Sequence, residues 1–254
     1  MIITGRLKKL WIRGATLRET LRNRTMFATI RHIVASHYLK GEGIEIGALH
    51  NPLHLGPQAT ARYVDKWSAE ELAITYPELR SRKLVTVDVI DDGESLATFA
   101  TSSLDFIIGN HLLEHCRNPL RTIERMYSLL KQGGCLFLTV PDKRYTFDAP
   151  RPVTPVEHLV REYHEGTQWS EEAHLDEYLR NVVGLSDEAE IRDKIREIRS
   201  AVGGSDIHWH VWTQDEVMEL ILACKRDVGL SFETELFFRN GDFEIIFLLR
   251  KTAP

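Results

Sequence analysis

The sequence has none of the features that mark a secreted, disulfide-linked or membrane-spanning protein. Its three cysteines, Cys116, Cys135 and Cys224, have no paired spacing, so neither a disulfide framework nor a structural zinc site is indicated. No apolar run approaches the roughly 18 residues that a membrane span requires. Charged residues interrupt the apolar stretch at the N-terminus, which argues against a secretory signal. We therefore expect a cytoplasmic protein with free thiols.

Positive charge is concentrated at the N-terminus. Residues 1–40 contain nine Lys or Arg residues and one acidic residue, Glu19, so this segment carries a formal charge of +8 in a chain of net charge −5. Such a segment can contact an anionic membrane surface, nucleic acid or the acidic remainder of the same protein. We predict no nucleic-acid partner, and we keep the inner membrane surface and the protein's own body as alternatives.

The order of apolar segments predicts an α/β sheet. Up to residue 141, short apolar runs alternate with helical patterns, which indicates βαβ units and a parallel sheet with helices on both faces. The predicted strands are Gly43–Ile46, Arg62–Val64, Leu84–Ile90, Leu104–Gly109 and Cys135–Val140. The predicted helices between them are Ala69–Leu79, Glu94–Ala100 and Pro119–Leu130.

The pattern changes after Pro141. Residues 142–206 contain several helix starts, among them a capping box at Thr154–Glu157, and no convincing strand. Two strands follow, Ser231–Phe238 and Phe243–Leu249, and the Asn240-Gly241 pair between them is a strong hairpin signal. The predicted fold is therefore a doubly wound, Rossmann-like α/β fold, with a mostly parallel seven-stranded sheet that ends in an antiparallel hairpin.

Three parts are predicted along the chain. Residues 1–40 form a basic helical segment, residues 41–141 together with 207–254 form the core, and residues 142–206 form a helical insertion after the fifth strand. The insertion is expected over the substrate site, with a homodimer interface as its alternative use.

The ends of the first two strands predict a nucleoside-binding edge. Glu45 ends the first strand and is followed by Gly47 and Ala48, a turn that lets backbone approach a ligand. Asp65, next to Lys66, lies at the tip of the second strand, where a carboxylate can accept both hydroxyl protons of a ribose. The G-x-G-x-x-G turn that would cradle a pyrophosphate is missing, which argues against a nicotinamide enzyme.

Two further segments carry a family resemblance. The runs Leu104–Cys116 and Leu130–Leu138 strongly resemble the fourth- and fifth-strand motifs of class I S-adenosylmethionine-dependent methyltransferases. The resemblance implies S-adenosylmethionine as cofactor, with its methionine end near the first strand, its ribose at the second and its adenine at the third. The cofactor residues predicted on this basis are Glu45, Gly47, Ala48, Asp65, Lys66, Asp88, Val89, Ile90 and Asn110.

Within that class, the sequence is similar to a bacterial group associated with surface-polysaccharide and sugar-modifying pathways. The likeness is carried by the runs Glu45–Leu53, Asn110–Cys116, Pro141–Asp148 and Arg151–Thr154. It implies methyl transfer to a hydroxyl of a sugar, nucleotide sugar or glycan intermediate. The alternatives are an N-methyltransferase, a small-aromatic O-methyltransferase and a binding module without turnover.

Candidate catalytic groups follow the fourth and fifth strands. His111 is the leading candidate base, and His111, Glu114 and His115 resemble a divalent-metal arrangement, which implies Mg²⁺ with His111 in place of an acid. The alternative for His115 is a structural role that holds the loop.

Asp142, Lys143 and Arg144 leave the fifth strand at the same rim, where the cations either bind a phosphate or form surface ion pairs. His208 and His210 alternate with tryptophans after the insertion, and each is a candidate base or metal ligand. Among these groups, we predict His111, His210 and Asp142 as catalytic. His158, His164 and His174 share no register and are predicted to be ordinary.

Overall fold

A seven-stranded sheet lies at the centre of the protein. The computed structural model describes residues 29–200 and 207–253. The strands are β1 (Gly41–Ile46), β2 (Ala59–Asp65), β3 (Val89–Ile90), β4 (Leu104–Asn110), β5 (Leu130–Pro141), β6 (Phe232–Asn240) and β7 (Glu244–Lys251). Their order is β3-β2-β1-β4-β5-β7-β6, parallel up to β5, with β7 antiparallel to β5 and β6. The predicted fold class is confirmed.

The central strands are buried on both faces, which explains their continuous apolar sequences. Phe106 and Ile108 of β4 pack on one face of the sheet with Phe137 of β5, while Ile107 packs on the other face with Leu136. The helices are α1 (residues 29–38), α2 (Ala69–Thr75), α3 (Pro119–Leu129), α4 (Val156–Glu165), α5 (Glu171–Tyr178), α6 (Glu188–Ser200) and α7 (Gln214–Arg226).

Two predicted elements before β4 are wrong. The expected strand Leu84–Ile90 is reduced to Val89–Ile90, because β3 lies at the edge of the sheet and pairs with β2 at only two positions. The expected helix Glu94–Ala100 does not form, because Leu96 adopts a left-handed conformation with φ of 43°. In place of a helix, the carboxylate of Asp92 accepts hydrogen bonds from the next backbone N–H groups and fixes a turn.

The helical region after β5 differs from the prediction in how its first helix, α4, begins. The capping box at Thr154–Glu157 is absent, and the Thr154 hydroxyl instead accepts a hydrogen bond from the Val211 N–H at 3.1 Å. Helix α4 packs into the main core, whereas α5 and α6 share a separate apolar cluster with Trp209. The segment after residue 206 therefore joins both groups of helices.

The structure describes only the end of the basic N-terminal segment. Residues 1–28, which carry most of its charge, lie outside the described residues. Helix α1 packs against the sheet through Ala35, and Arg31 forms an ion pair with Glu244 of β7. This part of the segment thus contacts the protein's own body. Among the described residues, no helix is both long and apolar enough to cross a membrane.

Candidate active site at the carboxyl edge of the sheet

The carboxyl ends of β1, β2 and β4 meet at one edge of the sheet. Ile46 pairs with Val64 on one side and with Gly109 on the other, so Gly47, Asp65 and Asn110 leave the sheet at the same level. Gly47 has a φ of +67°, and a side chain placed there would meet nothing within 4 Å. The first turn therefore leaves open space for a ligand above the strands.

Glu45 is buried beneath this turn and holds it in place. Both of its carboxylate oxygens accept the Leu53 N–H at 3.0 Å, and the Asn110 amide donates to Oε1 at 3.2 Å. Burial raises the pKa of Glu45 to about 7, although these hydrogen bonds and Arg31 oppose the shift. Residues 47–58 contain no helix, as their prolines indicated, and Ala48 is buried within this loop.

Asp65 lies at the tip of β2, as predicted. It accepts the Lys66 N–H at 2.7 Å, and its side chain is half-buried. Burial raises the pKa of Asp65, while the N–H groups of Lys66 and Trp67 act in the opposite direction. The Lys66 ammonium lies 5.2 Å from the centre of the Trp67 ring. A carboxylate at this strand tip can accept hydrogen bonds from two hydroxyl groups.

The residues predicted to contact the adenine occupy different positions around β3. Asp88 precedes β3, and its carboxylate accepts the Tyr63 N–H at 2.7 Å, so it does not reach the strand tip. Val89 and Ile90 form the strand itself, as predicted. The residues that follow the tip are Asp91, Asp92 and Gly93, and a Cβ on Gly93 would lie 3.1 Å from the Ile46 side chain. This loop therefore folds over the end of β1, and sequence reasoning missed it.

His111, the predicted base, is held between two buried carboxylates. Its Nε2 lies 3.0 Å from Glu244 Oε2, and its Nδ1 lies 3.4 Å from Glu114 Oε1. Burial lowers the pKa of His111, but the two carboxylates outweigh burial and raise it to about 9. The ring is therefore a cation at neutral pH and has no lone pair with which to accept a proton.

This cation should make stability depend on pH. Because the pKa of His111 is raised in the fold, its contribution is fully present below about pH 6.5 and is lost as pH rises through about 9. We expect His111→Gln to remove roughly 3 kcal/mol of pH-dependent stability between these limits, measured by urea unfolding. The exposed His164 of α4 provides the control, since His164→Gln should keep the wild-type slope. An unchanged slope in His111→Gln would contradict the assignment.

A second group of polar side chains lies beside Glu114. His115 and His208 place their rings 4.7 Å apart, and potential ligand atoms of Glu114, His115 and His208 lie within 4.8 Å of one another. This group shares Glu114 and His115 with the predicted metal set, and His208 lies beside them where His111 was expected. His208 Nδ1 also lies 2.6 Å from Asp148 Oδ2, so a buried carboxylate orients this imidazole.

Asp142 and His210, also predicted as catalytic, are completely buried. The Asp142 carboxylate accepts the Arg144 guanidinium at 2.6 Å, and its backbone bridges to Trp212. Burial lowers the pKa of His210 to about 3, against the attraction of a nearby glutamate. A methyl acceptor has no access to either side chain in this conformation. Lys143 and Arg144 also have internal partners, because Lys143 Nζ donates to the Ala149 carbonyl at 3.0 Å.

Arg151 stabilises the Asp148 side chain from the interior. Its Nη1 donates to Asp148 Oδ1 at 2.9 Å and to the His208 carbonyl at 2.7 Å, and its Nη2 donates to Glu177 at 2.7 Å. Because Arg151→Ala leaves buried charge unpaired, we expect it to lower the free energy of unfolding by about 3–5 kcal/mol in urea titrations. Arg196→Ala, which removes an exposed ion pair on α6, should change it by less than about 0.5 kcal/mol. Equal effects of both variants would contradict this role.

The strand order, parallel up to β5 and ending in an antiparallel pair, is that of the class I methyltransferase fold. The sequence matches a family model described as "Methyltransferase domain" over residues 29–188. The chain belongs to this family, and its activity is S-adenosylmethionine-dependent methyl transfer.

Several solved structures are similar to the chain. The CurJ carbon methyltransferase is 14% identical with a TM-score of 0.46, and the alignment covers 91% of this chain but 55% of that one. A SAM-dependent methyltransferase from Aquifex aeolicus is 10% identical with a TM-score of 0.45, covering 85% of each chain. A SAM-dependent methyltransferase from Methanosarcina mazei is 18% identical with a TM-score of 0.43, covering 87% of this chain and 98% of that one. No curated protein matches the sequence.

The residues at the carboxyl edge fit S-adenosylmethionine. The cofactor carries a cationic sulfonium and no phosphate, and the edge has the half-buried Asp65 carboxylate at the tip of β2 instead of a pyrophosphate cradle. Because Gly47 has no side chain, the space next to its backbone is open. A separate cleft of about 410 Å³, lined by Asp105 and Arg250 among others, lies at the amino end of β4 and is not part of this site.

Proposed function

We propose that the protein transfers the methyl group of S-adenosylmethionine to a hydroxyl of a sugar, nucleotide sugar or glycan intermediate. The observation that carries this proposal is the Asp148–His208 pair, with 2.6 Å between Asp148 Oδ2 and His208 Nδ1. Because Nδ1 donates to the carboxylate, the lone pair of the neutral ring is on Nε2. A hydroxyl must lose its proton as it attacks a methyl group, and Nε2 can accept it.

Orientation contributes more to this reaction than proton removal. When bound, the cofactor supplies a methyl group on a sulfonium that is already activated for displacement. Holding reactants in line is equivalent to effective molarities of about 10⁵–10⁸ M, whereas a general base contributes about 10²–10⁴-fold. His208 receives the hydroxyl proton, and the Asp148 carboxylate stabilises the resulting imidazolium. Glu114 borders the same group and adds a second negative charge.

Aromatic side chains after β5 support a sugar as acceptor. Tyr145 is 40% exposed, and Phe147 packs against the His208 ring with 4.8 Å between ring centres. The apolar face of a sugar ring packs well on such aromatic faces. The ion pair of Arg144 with Asp142 gives no support to phosphate recognition by that arginine. The similarity of Pro141–Thr154 to the polysaccharide-associated group points to the same acceptor class.

A screen of acceptors with isotope-labelled S-adenosylmethionine tests the proposal. The panel contains sugar nucleotides, oligosaccharides, lipid-linked sugars, amines and catechols, and NMR identifies the atom that carries the label. We expect an alkali-stable methyl ether on a sugar hydroxyl. Label on nitrogen or on an aromatic hydroxyl would replace the proposal with one of those activities. If the protein binds the cofactor but transfers label to no member of the panel, the result would favour a binding module without turnover.

A further inference from the structure

Three histidines and one glutamate from separate segments converge beside helix α4. They are His158 and Glu162 of α4, His174 of α5, and His210 of the segment that leads to α7. We call them the histidine–glutamate cluster. Their potential metal-ligand atoms all lie within 4.8 Å of one another. Two of these histidines, His158 and His174, were predicted to be ordinary because they share no register in sequence, and the fold brings them together.

Three members of the cluster are spaced like ligands of one metal ion, and the fourth lies next to them. His158 Nε2 lies 3.0 Å from both Glu162 Oε1 and His174 Nε2, and His174 Nε2 lies 3.2 Å from Glu162 Oε1. His210 Nε2 lies 3.4 Å from Glu162 Oε2. Ligands on a zinc ion with bonds of about 2.0 Å are separated by about 3.3 Å in a tetrahedron. The three distances among His158 Nε2, His174 Nε2 and Glu162 Oε1 are close to this value.

Hydrogen bonding alone accounts poorly for the cluster. His158 Nε2 and His174 Nε2 both lie within hydrogen-bond distance of Glu162 Oε1. If both rings donate to this oxygen, their own 3.0 Å separation is left without a hydrogen bond, whereas two lone pairs directed at one cation account for it. Glu162 Oε2 and His210 Nδ1 are buried and have no hydrogen-bond partner among the described residues. A positive ion would satisfy the unpaired carboxylate oxygen. The Ser170 hydroxyl donates to Glu162 Oε1 and orients the carboxylate, as outer-shell groups do in metal sites.

We propose that the histidine–glutamate cluster binds one Zn²⁺ ion. Imidazole nitrogens and carboxylate oxygens are both zinc ligands, and the three histidines and one glutamate together form a closed four-ligand set without a cysteine. Without a metal, His210 Nε2 lies 3.3 Å from the carbonyl oxygen of Arg117, its hydrogen-bond acceptor. When the ion is bound, Nε2 coordinates the ion instead of donating to this carbonyl. The partly exposed His158 gives the ion a route of entry.

The ion would join three segments around the active site. It links α4, which packs into the main core, with α5, which packs into the separate helical cluster. His210 follows His208 by two residues, so the same ion fixes the segment that carries the proposed base. The site does not depend on which acceptor is methylated.

Metal analysis of the full chain tests the proposal. Mass spectrometry of the purified protein should find about one zinc per chain, and Co²⁺ added to chelated protein should give the visible absorption of a tetrahedral site. His174→Ala and Glu162→Gln should reduce the bound metal to less than about a tenth. The control variants His164→Ala, on the exposed face of α4, and His115→Ala, in the neighbouring group, should keep it.

A thermal-stability measurement on the wild-type protein tests the proposal even if the variants fail to fold. Zinc added to chelated wild-type protein should raise Tm by roughly 10 °C at saturation. Trace metal only in the wild type, with no change in Tm, would overturn the proposal. Metal that persists in His174→Ala and disappears in His115→Ala would also overturn it, because the ion would then belong to Glu114, His115 and His208.

Discussion

Replacing Asp65 with alanine should weaken S-adenosylmethionine binding by about 10²–10⁴-fold. Two hydroxyl groups donating to one carboxylate form charge-assisted hydrogen bonds, each worth about 1.5–3 kcal/mol. The carboxylate is half-buried at the tip of β2, where water replaces such contacts poorly. Isothermal titration calorimetry measures the change directly. The turnover rate at saturating cofactor should fall much less than the affinity, because the contact predicted for Asp65 is with the ribose and not with the methyl group.

Glu70 offers a matched control for this variant. It is an exposed carboxylate in the first turn of α2, five residues beyond Asp65. Glu70→Ala should leave cofactor affinity unchanged. If Asp65→Ala binds the cofactor as tightly as Glu70→Ala does, the ribose is not held at β2.

Replacing His208 with alanine should lower kcat by about 10²–10⁴-fold, the usual contribution of a general base. The affinity for S-adenosylmethionine should not change, because His208 lies beside Glu114 and not in the turn around Gly47. Bound zinc should also be retained, since His208 is outside the histidine–glutamate cluster. The measurement is the rate of label transfer under saturating conditions.

Rescue distinguishes a base from a structural residue. Free imidazole added to His208→Ala should restore part of the rate, whereas a variant with a distorted loop should not respond. His37→Ala, an exposed histidine of α1, should show the wild-type rate throughout. A small effect of His208→Ala, or a loss that imidazole leaves unchanged, would remove His208 from the mechanism and leave the hydroxyl acceptor without its main support.

Features set by local sequence were predictable. The continuous apolar run of β4 is dictated by burial on both faces, and Asn240-Gly241 forms the hairpin as expected, with Gly241 at a φ of 65°. Asp65 was placed correctly because a short strand and its tip are visible in the sequence. Each of these depends on neighbours along the chain.

Features set by tertiary contacts were not predictable. Nothing around Leu96 signals the left-handed conformation that prevents a helix, since Arg125 of α3 donates to the Ser95, Leu96 and Phe99 carbonyls of this turn from a distant part of the sequence. His174 lies 16 residues from His158, and only the packing of α5 on α4 brings their rings together. His111 was the leading candidate base from the sequence, and only the fold shows that Glu244 of β7 lies against its ring. Partners from distant segments decide the chemistry of these histidines.

A crystal structure with S-adenosylhomocysteine bound gives the most direct test of the cofactor site. The account predicts both ribose hydroxyls within about 2.6–3.2 Å of the Asp65 carboxylate and the amino-acid end above Gly47. The adenine should lie against the loop of Asp91, Asp92 and Gly93. A nucleoside bound elsewhere, or an edge closed by residues 47–58 with no room for the ligand, would contradict it.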